Sequence, residues 1–298
     1  MLTICFAIAA AVSNALASIL QRRGAGSIPE SKSMRVSLLI AVLRQPVWLF
    51  GLLAMVAAFV FQAAALARGD LALVQPLLLA ELPITLLLAP LFFEGGAGRR
   101  AWFGVVGMSA GLAAVLVAAA PRGGRGSTNL ASVLLTVAAS AGLIACLVVL
   151  ALRMEGSPRA ATFGTAAGAG FALTAALMKE AMDELSSAGV GGMFASWSLY
   201  AMMAAGVVSL FLWQNALQAG TLIAAQPAIT LSDPILSTLI GVMVFGEHVR
   251  LGGWIALEVV GALLIAGASV ELARSPLISG SGVEAAPQPD RETQPDLL

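Results

Sequence analysis

Nine stretches of the 298-residue chain are apolar for about the length of a membrane crossing, at 2–21, 47–67, 71–93, 101–120, 130–152, 160–178, 194–217, 222–245 and 252–271. A hydrocarbon core about 30 Å thick needs about 20 helical residues. Composition supports the same reading, with 59% apolar and 11% charged residues and a mean hydropathy of +0.93. A soluble domain of this size carries about 25% charged residues on its surface. The expected fold class is therefore an all-α membrane protein with nine transmembrane helices, whose main partner is the lipid bilayer. The first run lacks a basic leader and is interrupted by Ser13, Asn14 and Ser18, so it reads as a helix rather than a signal peptide. Residues 37–46 are too short to span, carry Arg44, and are expected at the interface. From 275 onward the chain turns to Ser, Gly, Pro and acids, a disordered tail.

Formal charge is zero, which gives nucleic acid nothing to bind. Cys5 and Cys146 stand alone in apolar runs, and His248 is the sole histidine. A CxxC site, a disulfide framework, a histidine metal site and a catalytic triad are thereby disfavoured. Loop basic residues divide unevenly. Arg68, Arg122, Arg125, Lys179 and Arg250 fall on one side, and the other eleven lysines and arginines on the opposite side. The positive-inside rule then puts the N-terminus outside and the C-terminus in the cytoplasm. Trp48, Trp102 and Trp254 stand at helix starts as interfacial anchors.

The chain also repeats itself. Residues 65–83 (ALARGDLALVQPLLLAELP) align without gaps to 216–234 (ALQAGTLIAAQPAITLSDP), matching Gly69 to Gly220, Gln75-Pro76 to Gln226-Pro227, and Pro83 to Pro234. One residue of slippage later Trp102 meets Trp254, and earlier 15–23 resembles 172–180. Spans one to four thus recur as six to nine. The expected organisation is a four-helix repeat at 1–121, a bridging helix with its loops at 122–158, a second repeat at 159–274 and the tail at 275–298. Copies that begin five spans apart enter the membrane from opposite sides, giving an inverted repeat. Secondary transporters place a substrate site at such a repeat interface.

With its "AL..G.L....P......P" third helix, a Gly246-Glu247 turn and a Gly-rich fourth helix, the chain resembles the drug/metabolite transporter superfamily (EamA-like), and each half resembles a small multidrug resistance subunit. The looser Phe93-Glu94-Gly95 occupies the first-half turn. Nine spans, the basic end LQRRG of helix one, and Lys179 make the NIPA-type magnesium transporters the most similar branch. The resemblance implies a secondary transporter without a cofactor, and it lets helix one line the substrate path. Small multidrug exporters carry a carboxylate in helix one, where this chain has Asn14 and, in the second half, Phe171. Neither can titrate, so that proton-coupled route is not implied.

Ionisable groups inside a bilayer cost several kcal/mol and mark functional candidates. Asp233 lies about mid-span, and Gln226, Thr230 and Ser237 share its helix face at spacings of four, three and four. Pro234 cannot donate an N–H, leaving a carbonyl one turn earlier for a ligand. Glu81, with Thr85 one turn on, sits at a matching depth before Pro83, and Gln75 falls on a different face unless the prolines distort the helix. All these are oxygen ligands, which hard cations prefer, so Asp233 and Glu81 are also the metal-site candidates for Mg²⁺ as cargo. Asn14, Ser18 and Gln21 form a polar stripe on helix one, and Gln62, Gln214 and Gln218 could add cavity amides. Interhelical hydrogen bonding competes with function for every one of these residues. Glu258 lies about two turns into helix nine, within reach of the interface or a loop arginine. Lys179, Glu180, Asp183 and Glu184 read as a solvated helix end.

The expected function is movement of a small metabolite or cation by alternating access, with a homodimer left open. A second class, an accessory membrane subunit, needs no acids at matching depth in both halves. Walker motifs, nucleophile elbows and phosphate loops are missing, so neither an ATP-driven pump nor an enzyme is expected.

Overall fold

The computed structural model describes residues 1–26, 45–92, 98–121, 123, 129–250 and 252–274. The interfacial segment expected at 37–46, the Glu94 turn and the tail lie outside them, apart from Gln45 and Pro46. Ten helices account for nearly all of the described chain: α1 (Leu2–Gly26), α2 (Pro46–Leu66), α3 (Leu71–Leu78), α4 (Glu81–Phe92), α5 (Arg99–Ala119), α6 (Leu130–Leu152), α7 (Gly156–Ala195), α8 (Trp197–Ala219), α9 (Leu222–Val244) and α10 (Trp254–Ala273). With α3 and α4 forming one crossing, nine spans among the described residues are long and apolar enough to cross a membrane. Each falls where the apolar runs put it, with two departures.

The first departure is the third span. Expected as one helix, it breaks at Leu79–Ala80. Pro83 has no N–H to return to the Leu79 carbonyl, so the chain tightens instead. Leu79, Ala80 and Leu82 donate three residues back, to Pro76, Leu77 and Leu79, at 3.0–3.2 Å. Glu81 opens the second piece.

The second departure is α7, expected as 160–178 but 40 residues long. At 1.5 Å per residue a straight helix of that length is about 60 Å, twice the hydrocarbon core. Gly189 interrupts the helix with a left-handed φ of 72°, which only glycine adopts at little cost. Beyond it the chain is exposed through Val190 and Phe194.

α7 is also the centre of the molecule. In its most apolar stretch 72% of residues are buried, against 6% in the bridging helix α6. Ala166, Ala167, Gly168, Ala169, Gly170 and Ala172 let its neighbours approach the backbone. Without a hydrophobic force between helices in lipid, small residues of this kind supply the packing. α7 packs on α6, α8 and α9, as α1 packs on α2, α3 and α4. Between these groups, α5 pairs with α10 and α3 with α9. Contacts of Gly104 with Leu272, Gly107 with Ala268 and Gly111 with Gly261 run in opposite chain directions, so α5 and α10 are antiparallel. The remaining faces of α2, α8 and α10 expose Phe50, Phe59, Phe211 and Leu263, a surface suited to lipid.

Candidate functional site

Two polar groups lie inside the apolar helices. In the first, the α3–α4 break brings Glu81 against α1, with its carboxyl group beside the Asn14 and Ser18 side chains. Asn14 and Ser18 of the helix-one stripe are thus brought to Glu81, although nothing in their spacing links them, whereas Gln21 turns to α2, its Nε2 3.9 Å from Met55 Sδ. Thr85 is occupied locally, its hydroxyl donating to the Glu81 carbonyl at 2.7 Å. The Leu79 carbonyl, freed in principle by Pro83, accepts from Leu82 at 3.2 Å rather than standing open for a ligand.

The second group lies along α9. Ser237, fully buried, donates to Asp233 Oδ1 at 3.1 Å, and Gln226 Nε2 donates to Thr230 Oγ1 at 3.4 Å. Gly168 of α7 presses on Ser232 and the Asp233 backbone, leaving no room for a Cβ. The stripe expected on this helix is present and faces protein. No hydrogen bond joins Asp233 to Glu81, and the two acids lie against different neighbours. Gln75 is buried beside Pro76 with its Nε2 unpartnered among the described residues. Gln62 is half-buried on α2, whereas Gln214 and Gln218 are exposed on α8, away from both groups.

A third cluster lies at one face of the bundle, where a solvated helix end was expected. Lys179 is only 9% exposed. Its ammonium donates to the Gly69 carbonyl at 2.7 Å, stands 3.8 Å from Glu247 Oε1 and lies over the Phe245 ring at 5.3 Å. Glu247 is 2% exposed and accepts from the Leu71 and Ala72 N–H groups at 2.7 and 2.9 Å. It thereby caps the N-terminus of α3, where orphan donors and the helix dipole favour an anion. Gly246 makes this reach feasible, turning at φ 64° so that the Glu247 N–H returns to the Gly241 carbonyl at 3.0 Å. Burial pushes the Glu247 carboxyl above its usual value, against the Ala72 and Leu71 donors and Lys179, which pull it down. Burial likewise raises Asp70, with Lys179 opposing. The Gly246-Glu247 motif was the sequence signal here, but its partner α3, some 175 residues away, left no trace in local spacing.

Described this far, the chain has the architecture of a multi-pass helical membrane protein. It is similar to an uncharacterised protein of Corynebacterium glutamicum, 26% identical over 265 residues that cover 89% of this chain and 92% of the relative. No protein-family profile matches it, and no solved structure does.

Proposed function

We propose that the chain is a secondary transporter of the drug/metabolite class, moving a small metabolite or cation by alternating access between two inverted four-helix halves. The observation that carries this reading is the Glu81 group, a carboxyl group at a helix break in mid-span beside Asn14 and Ser18 of another helix. Polar side chains gathered at mid-membrane depth, on backbone that departs from a regular helix, are the usual surroundings of a transported solute.

The helix pairings support the inverted repeat. Exchanging spans one to four with six to nine turns α1–α2 packing into α7–α8 packing and returns α5–α10 to itself. The glycines agree, because Gly69 abuts Thr3 and its counterpart Gly220 abuts Ala160, each in the first helix of its own half. Extending the 15–23 alignment backwards pairs Thr3 with Ala160. The Lys179–Glu247 cluster joins the loop before α3 to the loop after α9, so it serves as the closure of one membrane face in this conformation.

Mg²⁺ as cargo is the second reading, favoured by the oxygen-only chemistry of Glu81, Asn14 and Ser18. Among the described residues no three His, Cys, Asp or Glu side chains converge on one metal position. Magnesium would therefore travel with most of its water, held by one or two carboxylates. The test is thermal stabilisation of the purified protein across divalent cations and small metabolites, followed by flux of each hit in proteoliposomes. Glu81→Gln should reduce flux by about tenfold or more while the protein still folds. Unchanged flux would remove Glu81 from the site, and a screen without hits or flux would favour an accessory subunit.

A further inference from the structure

A cavity of about 250 Å³ lies between α3, α5, α9 and α10, away from Asn14 and Ser18 and their contacts with Glu81. Its wall is apolar except at two places, Thr238 on α9 and Glu258 on α10. Glu258 Oε1 is buried and has no hydrogen-bond partner among the described residues. Nor does any cationic side chain line the cavity. Ile235 and Val259 both line it and keep about half of their surface on the outside of the bundle, so its mouth lies between α9 and α10. Glu258 stands one turn inside Trp254, the anchor at the start of α10, and hence just below the headgroup level.

A buried oxygen acceptor without a donor costs free energy that folding alone does not require here. The repeat shows as much. The first-half counterpart of Glu258 is Val106, which is 62% exposed and leaves the same helix intact. The carboxyl is thus an addition to the fold, aimed into a space that lacks only a donor and a positive charge.

We propose that this cavity is a bilayer-facing binding site for an amphiphilic amine, whose ammonium pairs with Glu258 and whose apolar body fills the space toward Pro76 and Pro234. Charge complementarity selects the amine over an alcohol of the same shape, and the mouth between α9 and α10 lets the ligand enter from lipid. The site stands apart from the Glu81 group and needs only the cavity, so it holds whether or not the chain transports what it binds there.

The test uses the full chain in lipid nanodiscs, with 1-aminoadamantane and its isosteric alcohol 1-adamantanol as probes. The amine should raise the unfolding temperature saturably and the alcohol should not. Glu258→Gln and Ala262→Phe, which fills the cavity, should each weaken the apparent affinity at least tenfold. In the wild-type protein the hydrophobic carboxyl reagent dicyclohexylcarbodiimide should label Glu258, and the amine should protect it, a readout that requires no variant. Equal stabilisation by the alcohol overturns the proposal. So does labelling of Glu258 that the amine leaves unchanged, or full affinity in whichever variant folds.

Discussion

The two proline-bearing spans share one sequence pattern yet end in different structures. In the first half, Pro76, Pro83 and Pro90 accompany a break at Leu79–Ala80. In the second, Pro227 and Pro234 lie inside a continuous 23-residue helix. Their acids follow suit. Glu81, at the break, lies beside Asn14 and Ser18 of another helix, whereas Asp233, on the unbroken helix, accepts from Ser237 one turn away. The positions matching Asn14 and Ser18 in the second half are Phe171 and Ala175, which have no side-chain donor to offer. The comparison teaches that a shared proline pattern does not by itself set the backbone, and that a few polar residues decide which span places its acid against another helix.

The sharpest way to break this comparison is to neutralise each acid. Hydrogen bonds to charged groups contribute about 1.5–3 kcal/mol, and each 1.4 kcal/mol is about tenfold. Glu81→Gln and Asp233→Asn should each lower flux by about 10- to 150-fold in proteoliposomes. If both acids act on one solute, the double variant is no worse than the product of the singles and falls short of it. Strict additivity would assign them to separate steps.

Next in size is the cap. Glu247→Ala leaves the Leu71 and Ala72 N–H groups buried without an acceptor, and each such group costs about 1–3 kcal/mol. Its unfolding temperature should fall clearly, whereas Glu247→Gln, which keeps an acceptor, should fall less. Amide exchange should show the loss concentrated in α3 and absent from α9.

Backbone exchange also separates the two spans without mutation. Amides at 79–84 should exchange faster than those at 230–235, because three-residue hydrogen bonds replace the regular helix there. Pro83→Ala restores the missing donor and should slow exchange at the break while reducing flux. Pro234→Ala should slow exchange little, since α9 is already unbroken. An equal response in the two would mean that Pro83 does not set the break.

The smallest effect is on pH. A carboxyl raised by burial contributes its stability at low pH and loses it as pH climbs through the folded value. Glu247, raised from 4.5, and Asp70, raised from 3.8, both have this sign. Thermal stability should therefore decline modestly as pH rises from about 4 toward neutrality, and Glu247→Gln should flatten the slope. A steeper decline of stability with pH in the variant would contradict the assignment.

Much of the fold was legible because length and apolarity are local properties. Every span was visible as a run of about twenty residues, and the Asp233 stripe as a spacing on one helix. What escaped depended on geometry between distant segments. The break at Leu79 needed two prolines seven apart together with a backbone free to tighten. The burial of Lys179 needed Gly69 and Phe245 to arrive from far along the chain. Its charge and position at a helix end suggested water, and only packing reveals that a carbonyl, a carboxylate and a ring take the place of water.

Where α5 crosses α10, a Cβ on Gly111 would meet the Gly261 carbonyl at 2.7 Å, and one on Gly261 would meet the Gly111 carbonyl at 2.8 Å. Each glycine is thus the other's reason for staying bare. Neither position can acquire a side chain unless the helices part. A side chain on either glycine would meet backbone that every residue carries, so no compensating change at the other position could make room for it.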